Sequence, residues 1–325
     1  MASSTLSILS CTPQSRLLAK PNSLHTPSPT TVSLLSPQVG QKYPCRNPLR
    51  YNISSSPIHM NKPKRTHVGG LVKAAMNNKN VEVFNKEHLA VSLAKYIADL
   101  SNKFISERGC FTVVLSGGAV KYLRKLVEPP YYNSIDWSKW HIFWVDERVV
   151  PKTHVDSNYK LAYDGFISKV PIPPRNVNTI DDALPADGAA DVYETNVRRL
   201  VTSNVVAKSQ FTELPKFDLM LLDMGPDGHV ASLFPGFPEV NETKKWVTYL
   251  KNAPKPPPER ITFTLPVINS ASNIAMVVTG AGKADAVYSA LEKGPTDYKL
   301  PVQLVSPDGE LKWFLDKGAA SRLYR

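Results

Sequence analysis

Phe217-Asp218-Leu219-Met220-Leu221-Leu222, running into Asp223-Met224-Gly225-Pro226-Asp227-Gly228-His229-Val230-Ala231-Ser232-Leu233-Phe234-Pro235-Gly236, is the stretch that decides the fold. Its first part is a short apolar run without the alternation of a half-exposed strand, as expected of a strand covered on both faces. Its second part is a glycine-punctuated loop carrying an acid and a histidine. A covered strand that empties into a polar, Gly-rich loop is characteristic of open parallel α/β sheets, whose ligands sit beyond the C-terminal strand ends.

Phe111 to Leu115, His141 to Val145 and Asn273 to Val278 read as further strands of the same kind. Between them lie helix-period segments. Leu89, Leu93, Ile97, Leu100 and Phe104 recur every three or four residues and predict a helix over 88–105 that Gly109 can close. Ala119 to Val127, Tyr159 to Val170, Ala189 to Val201 and Ala284 to Leu291 are expected to be helices, and Pro-rich Ala253 to Pro258 a loop or edge connection. The expected fold is a doubly wound α/β domain over residues 80–325, with a mainly parallel sheet and helices on both faces.

The formal charge of +11 over 325 residues would by itself raise nucleic acid as a partner. The charges, however, are concentrated at one end. Residues 1–79 hold ten Lys and Arg and no acid, leaving 29 basic against 28 acidic residues from Asn80 onward. A nearly neutral body argues against nucleic-acid binding. Residues 1–75 are also rich in Ser, Thr and Pro and lack an apolar run long enough for a bilayer, so they read as a disordered chloroplast transit peptide. The partners expected from this are the plastid import machinery, through the leader, and no membrane. Val72-Lys73-Ala74-Ala75 resembles a stromal processing site. Cys110 alone remains after such processing, so no intramolecular disulfide forms, and it reads as a small apolar residue beside a strand.

Four strand-end loops can carry chemistry. Ser116-Gly117-Gly118 follows the first strand, and paired glycines let backbone N–H groups approach an anion, although a simple tight turn has the same sequence. Asp146-Glu147-Arg148 offers carboxylates that can orient a hydroxyl or a water and a guanidinium that can bind phosphate; a solvated strand end is the plainer reading. His229 can serve as general base, with Asp227 stabilising its imidazolium or selecting its tautomer. Lys283, after Gly280-Ala281-Gly282, can supply a point charge to phosphate or simply be solvated. No paired metal-ligand spacing, CxxC or GxGxxG after a strand is present, so neither metal nor nucleotide cofactor is expected.

Taken in order, Leu115-Ser116-Gly117-Gly118, Trp144-Val145-Asp146-Glu147-Arg148, Asp156-Ser157-Asn158-Tyr159, the block from Gly225 to Gly236, Arg260 to Asn269 and Gly282-Lys283-Ala284 resemble the glucosamine-6-phosphate isomerase/6-phosphogluconolactonase family, and within it the plant plastid lactonases. The resemblance covers essentially all of the chain after the leader. It implies hydrolysis of 6-phospho-D-glucono-1,5-lactone, a sugar-phosphate lactone of the oxidative pentose phosphate pathway, with no cofactor. It also implies His229 as catalytic base with Asp227 and Asp146 beside it. Phosphate would be held by Ser116, Gly117, Gly118, Arg148 and Lys283, with Arg260 near the substrate or supporting the site. Against the family pattern, Ala119-Val120 stand where a hydroxyl residue and often Pro occur, Asp223 where Gly is common, and Phe237 where His is common. An amino-sugar phosphate deaminase on this fold is disfavoured, because Ser232-Leu233-Phe234-Pro235 replaces the stretch that supplies its Glu. A sugar-phosphate-binding protein without activity is the other alternative.

Overall fold

The computed structural model describes residues 72–73, 80–210, 212–293 and 298–323. The chain divides into residues 1–62 and 63–325, and every described residue belongs to the second unit. The expected leader lies outside the described residues except for Val72 and Lys73, which form a two-residue strand.

The described strands are β1 (Val72–Lys73), β2 (Asn80–Phe84), β3 (Phe111–Leu115), β4 (Trp140–Trp144), β5 (Asp146–Arg148), β6 (Ala207–Lys208), β7 (Pro215–Lys216), β8 (Leu219–Leu222), β9 (Val247–Leu250), β10 (Arg260–Phe263), β11 (Asn273–Val278) and β12 (Glu310–Asp316). The α-helices are α1 (Lys86–Arg108), α2 (Gly117–Val120), α3 (Tyr131–Ser134), α4 (Asn158–Gly165), α5 (Ala186–Thr202), α6 (Leu265–Asn269) and α7 (Ala284–Leu291). The main sheet runs β1-β2-β12-β11-β8-β3-β4 and is parallel throughout except for the β1–β2 pair.

Apolar side chains point to both faces of this sheet. On β3, Val114 joins a core with Tyr193 and Val197 of α5 and Val287 of α7. Phe111, Val113 and Leu115 join the opposite core, with Leu89, Leu93 and Ile97 of α1 and Ala162 of α4. Two-sided burial is why these strands read as continuous apolar runs. From β3 the chain moves to β4 on one side and later to β8 on the other, so the sheet order reverses between β3 and β8. That reversal opens a crevice at their C-terminal ends, the usual ligand position in such sheets.

Helix α1 is bounded as its sequence requires. Asn85 Oδ1 accepts the His88 N–H at 3.1 Å, and Gly109 closes the helix at φ +78°. Two expected helices are interrupted. The one over 119–127 stops at Val120 and resumes as a 3₁₀ turn at Leu123–Val127, because Ala119, Val120, Leu123 and Leu126 all turn into the core. The one over 159–170 starts one residue earlier, on the Ser157 cap, and ends at Gly165.

A second, antiparallel sheet, β5-β10-β9, was not anticipated from sequence. Asp146-Glu147-Arg148, read as a loop, is its edge strand. Its register sets Arg148 opposite Arg260 and Asp146 opposite Thr262, so strand alternation places these four on one face and Glu147 on the other. Cys110 is half-buried with the Arg108 guanidinium 2.9 Å from its sulfur, and burial pushes its thiol up, as befits a structural cysteine.

Candidate active site

The loops after β3 and β8, strand β5 and the start of β10 enclose a cleft of about 370 Å³ at the reversal of the sheet. Ser116, Gly117, Gly118, Asp146, Arg148, His229 and Arg260 line it, as do four residues that sequence reasoning had not assigned roles to, Lys121, Asn158, Leu161 and Ala231, and Asp223.

The His229 loop is a narrow turn. Met224 and Val230 pair across it, the Gly225 N–H donates to the His229 carbonyl at 2.9 Å, and Gly228 takes φ +79° at the tip. This geometry lays the Asp227 and His229 side chains together, with Asp227 Oδ1 2.6 Å from His229 Nδ1. A contact that short to an ionised carboxylate assigns the proton to Nδ1 and leaves Nε2 with its lone pair. Among the described residues Nε2 has no hydrogen-bond partner. The imidazole packs on Phe234 with ring centroids 4.6 Å apart. Burial lowers its pKa below the usual 6.5, with the Asp227 bond acting in the opposite direction. Burial alone would raise the Asp227 carboxyl, but hydrogen bonds from Lys255 and His229 outweigh it and hold the group at about 2.

Asp146 is buried and does not bond the histidine. Its Oδ2 accepts the Ser232 hydroxyl at 2.8 Å and lies 4.0 Å from Arg260 Nη1. Arg260 is buried as well and donates to three carbonyls, those of Lys255, Pro256 and Pro257, at 3.1, 3.0 and 2.9 Å. Of the two roles expected for it, these bonds are those of a support.

Glu147, on the far face of β5, is buried too and takes the N–H groups of Arg148, Asn158 and Tyr159, each at 2.7 Å. Burial pushes its carboxyl up to about 7 even against these donors. These bonds fold residues 156–159 back onto β5. Arg148 Nη1 then reaches the Asp156 carbonyl at 2.7 Å, and Asn158 Nδ2 donates to the Asp146 carbonyl at 3.0 Å. The motif Asp156-Ser157-Asn158-Tyr159 was the signal that could have placed Asn158.

Lys283 does not line the cleft; its amine is 2.8 Å from Asp223 Oδ1. A pair separated by sixty residues could not be read from local sequence. Asp223 does line the cleft and packs over Gly118, where an added Cβ would overlap its carboxylate. Its charge is matched by Lys283, which relieves the repulsion that a carboxylate would impose on an anionic ligand.

Some donors remain unused. Ser116 Oγ and Arg148 Nε are buried without a hydrogen-bond partner among the described residues, and the Lys121 amine, 5.2 Å from the Tyr122 ring centroid, forms no ion pair there. Arg148 and Arg260 also stand directly opposite each other on the ladder, where like charges destabilise a sheet. An anion in the cleft would offset that repulsion. Among the described residues no group of three or more His, Cys, Asp or Glu comes together as a metal site, and no helix is long and apolar enough to cross a membrane.

An Asp–His pair beside cationic donors at the reversal of an open α/β sheet suits base chemistry on an anionic ligand. The chain belongs to the glucosamine-6-phosphate isomerase/6-phosphogluconolactonase family, whose pattern it matches over residues 85–313. It is 66% identical over 241 residues to a probable chloroplastic 6-phosphogluconolactonase of Oryza sativa subsp. indica, covering 73% of this chain and 74% of that one. It is 62% identical over 247 residues to a chloroplastic 6-phosphogluconolactonase of Arabidopsis thaliana, covering 75% of each. Among solved structures, the 6-phosphogluconolactonase of Thermotoga maritima superposes with a TM-score of 0.63 at 27% identity, over 74% of this chain and all of that one.

Proposed function

We propose that the chain hydrolyses 6-phospho-D-glucono-1,5-lactone to 6-phospho-D-gluconate in the oxidative pentose phosphate pathway of the plastid, with His229 as general base. The observation that carries the mechanism is the Asp227–His229 pair, whose imidazole lines the cleft with Nε2 unpaired. Its relatives' names support the reaction and the compartment.

Hydrolysis adds one water across the C1–ring oxygen bond. Nε2 takes a proton from water as the water oxygen bonds C1, and Asp227 stabilises the imidazolium that results. When the tetrahedral intermediate collapses, the C1–ring oxygen bond breaks and the imidazolium returns the proton to the departing oxygen. The carboxylic acid so formed ionises at neutral pH. Ser116, the backbone of Gly117 and Gly118, Lys121 and Arg148 are placed to hold the phosphate, fixing C1 relative to His229. Lys283 neutralises Asp223 at the edge of the same site. Asp146 orients Ser232 and Arg260 and is available to accept a sugar hydroxyl.

The reading of an inactive binding protein rested on Ala119, Val120 and Asp223. The first two are core residues and the third is paired with Lys283, so none of them removes a catalytic group. The purified full chain should hydrolyse 6-phosphogluconolactone above the spontaneous rate and leave glucosamine 6-phosphate unchanged. The reverse preference would make it a deaminase.

Arg148→Ala is expected to raise KM by about 10-fold or more with a smaller change in kcat, because a phosphate clamp acts in ground and transition states alike. An unchanged KM with a lowered melting temperature would make Arg148 a structural residue.

Residues 1–75 are proposed as the plastid-targeting leader. Fused to a fluorescent protein, residues 1–80 should bring it into chloroplasts, and cytosolic fluorescence would overturn the assignment.

A further inference from the structure

Lys255 belongs to the Pro-rich segment over 253–258, which the sequence marks only as a connection. In the fold that segment is fixed from below, because the buried Arg260 guanidinium donates to the carbonyls of Lys255, Pro256 and Pro257. The Lys255 amine is thereby delivered to the catalytic pair, 2.9 Å from Asp227 Oδ2 and 3.2 Å from His229 Nδ1. It also lies 5.9 Å from the centroid of Phe234, the ring on which the imidazole packs.

We infer that Lys255 is a positioning residue for the hydrolysis, one that locks Asp227 against His229 Nδ1 and opposes the charging of the imidazole before water attacks. This rests on the reading of His229 as the base.

Asp227 meets a donor on each oxygen, Nδ1–H at Oδ1 and the Lys255 ammonium at Oδ2, so its carboxylate cannot rotate away without breaking a charge-assisted bond. With the proton on Nδ1, that nitrogen has no lone pair to offer the ammonium. The 3.2 Å approach is therefore a positive charge held beside the ring, and it penalises protonation at Nε2. The charged groups acting most strongly on His229 are Asp227 on its own loop, Lys255 on the Pro-rich segment and Asp146 on β5, with Arg148 and Arg260 facing the same cleft. The two carboxylates favour the imidazolium, whereas Lys255 and burial disfavour it. A base flanked by two carboxylates alone would be partly protonated near neutrality and idle to that extent. Lys255 counters this while keeping the Asp227 contact that orients the ring.

The sign follows for substitutions in the full chain. Lys255→Met should raise the His229 midpoint by about half to one pH unit, and Asp227→Asn should lower it. Both should be visible in the acid limb of kcat/KM for 6-phosphogluconolactone and in a substrate-free NMR titration of His229, whose signal is assigned by its loss in His229→Ala. Lys255→Arg should restore the wild-type midpoint, and KM should stay within about twofold in Lys255→Met.

A higher KM with an unmoved midpoint would overturn the inference and make Lys255 a substrate ligand. A lower melting temperature with an unmoved midpoint would overturn it in favour of a purely structural role. Failure of the wild type to hydrolyse the lactone would overturn the functional reading instead, and the substrate-free titration would still report whether Lys255 sets the imidazole's charge.

Discussion

His229→Ala is expected to lower kcat on 6-phosphogluconolactone by about 10²-fold or more with little change in KM, because a general base acts on the transition state. The fold should survive, since the side chain is packed on one ring, Phe234, at the edge of the cleft. Residual activity should come from phosphate anchoring, which holds C1 in place for solvent water. Turnover within a few-fold of wild type would remove His229 from the mechanism.

Gly225→Ala should be nearly as damaging, although it removes no chemical group. A Cβ at this position would lie far inside contact distance of the His229 ring and of Asp227 Oδ1. The turn is closed by the bond between the Gly225 N–H and the His229 carbonyl, so backbone movement cannot readily relieve the overlap. The imidazole would have to leave its place, and a loss of about 10²-fold in kcat is expected from a displacement of about 1 Å. KM should change less, because Ser116, Lys121 and Arg148 are on other elements. A Gly225→Ala protein with wild-type kcat would show that the pair does not need this turn. The same overlap explains why this glycine is required by close approach rather than by an unusual φ.

Much of this architecture was legible in the sequence. β3, β11 and α7 lie where their apolar patterns place them, and Gly109 closes α1 in the left-handed conformation. Three of the four strand-end segments line the cleft, and the fourth reaches its edge through the Lys283–Asp223 pair. Other elements had no local signal. β12 is flanked by strands on both sides yet carries Glu310, Lys312 and Asp316, because each finds a partner: Glu310 accepts from Asn80 and Tyr96, Lys312 pairs with Glu82 of the neighbouring β2 at 3.2 Å, and Asp316 accepts the Gly280 and Ala319 N–H groups. The β5-β10-β9 sheet is built from strands of three or four residues, too short for a period to show, and β5 therefore read as a loop.

Within the site, residues close in sequence were easier to place than residues that meet through folding. Asp227 and His229 are two positions apart on one turn, and their contact was expected. Asp146, also expected beside the histidine, acts on it through its charge without a bond, its Oδ2 accepting the Ser232 hydroxyl. Lys283 pairs with Asp223, and Lys255 reaches His229 from a loop whose carbonyls Arg260 holds. Each of these pairings joins separate strands or loops, so it depends on tertiary register rather than on local pattern.

The most direct measurement sets the NMR titration of His229 in the wild-type full chain beside the pH dependence of its kcat/KM for 6-phosphogluconolactone. Burial lowers the His229 pKa, so more acid is needed to protonate the ring and the neutral, active form is already dominant at pH 7. Activity should rise with pH in proportion to the neutral fraction, with one midpoint below 6.5 shared by both measurements. A rate that stays flat while His229 titrates would contradict the assignment of its neutral imidazole as the base.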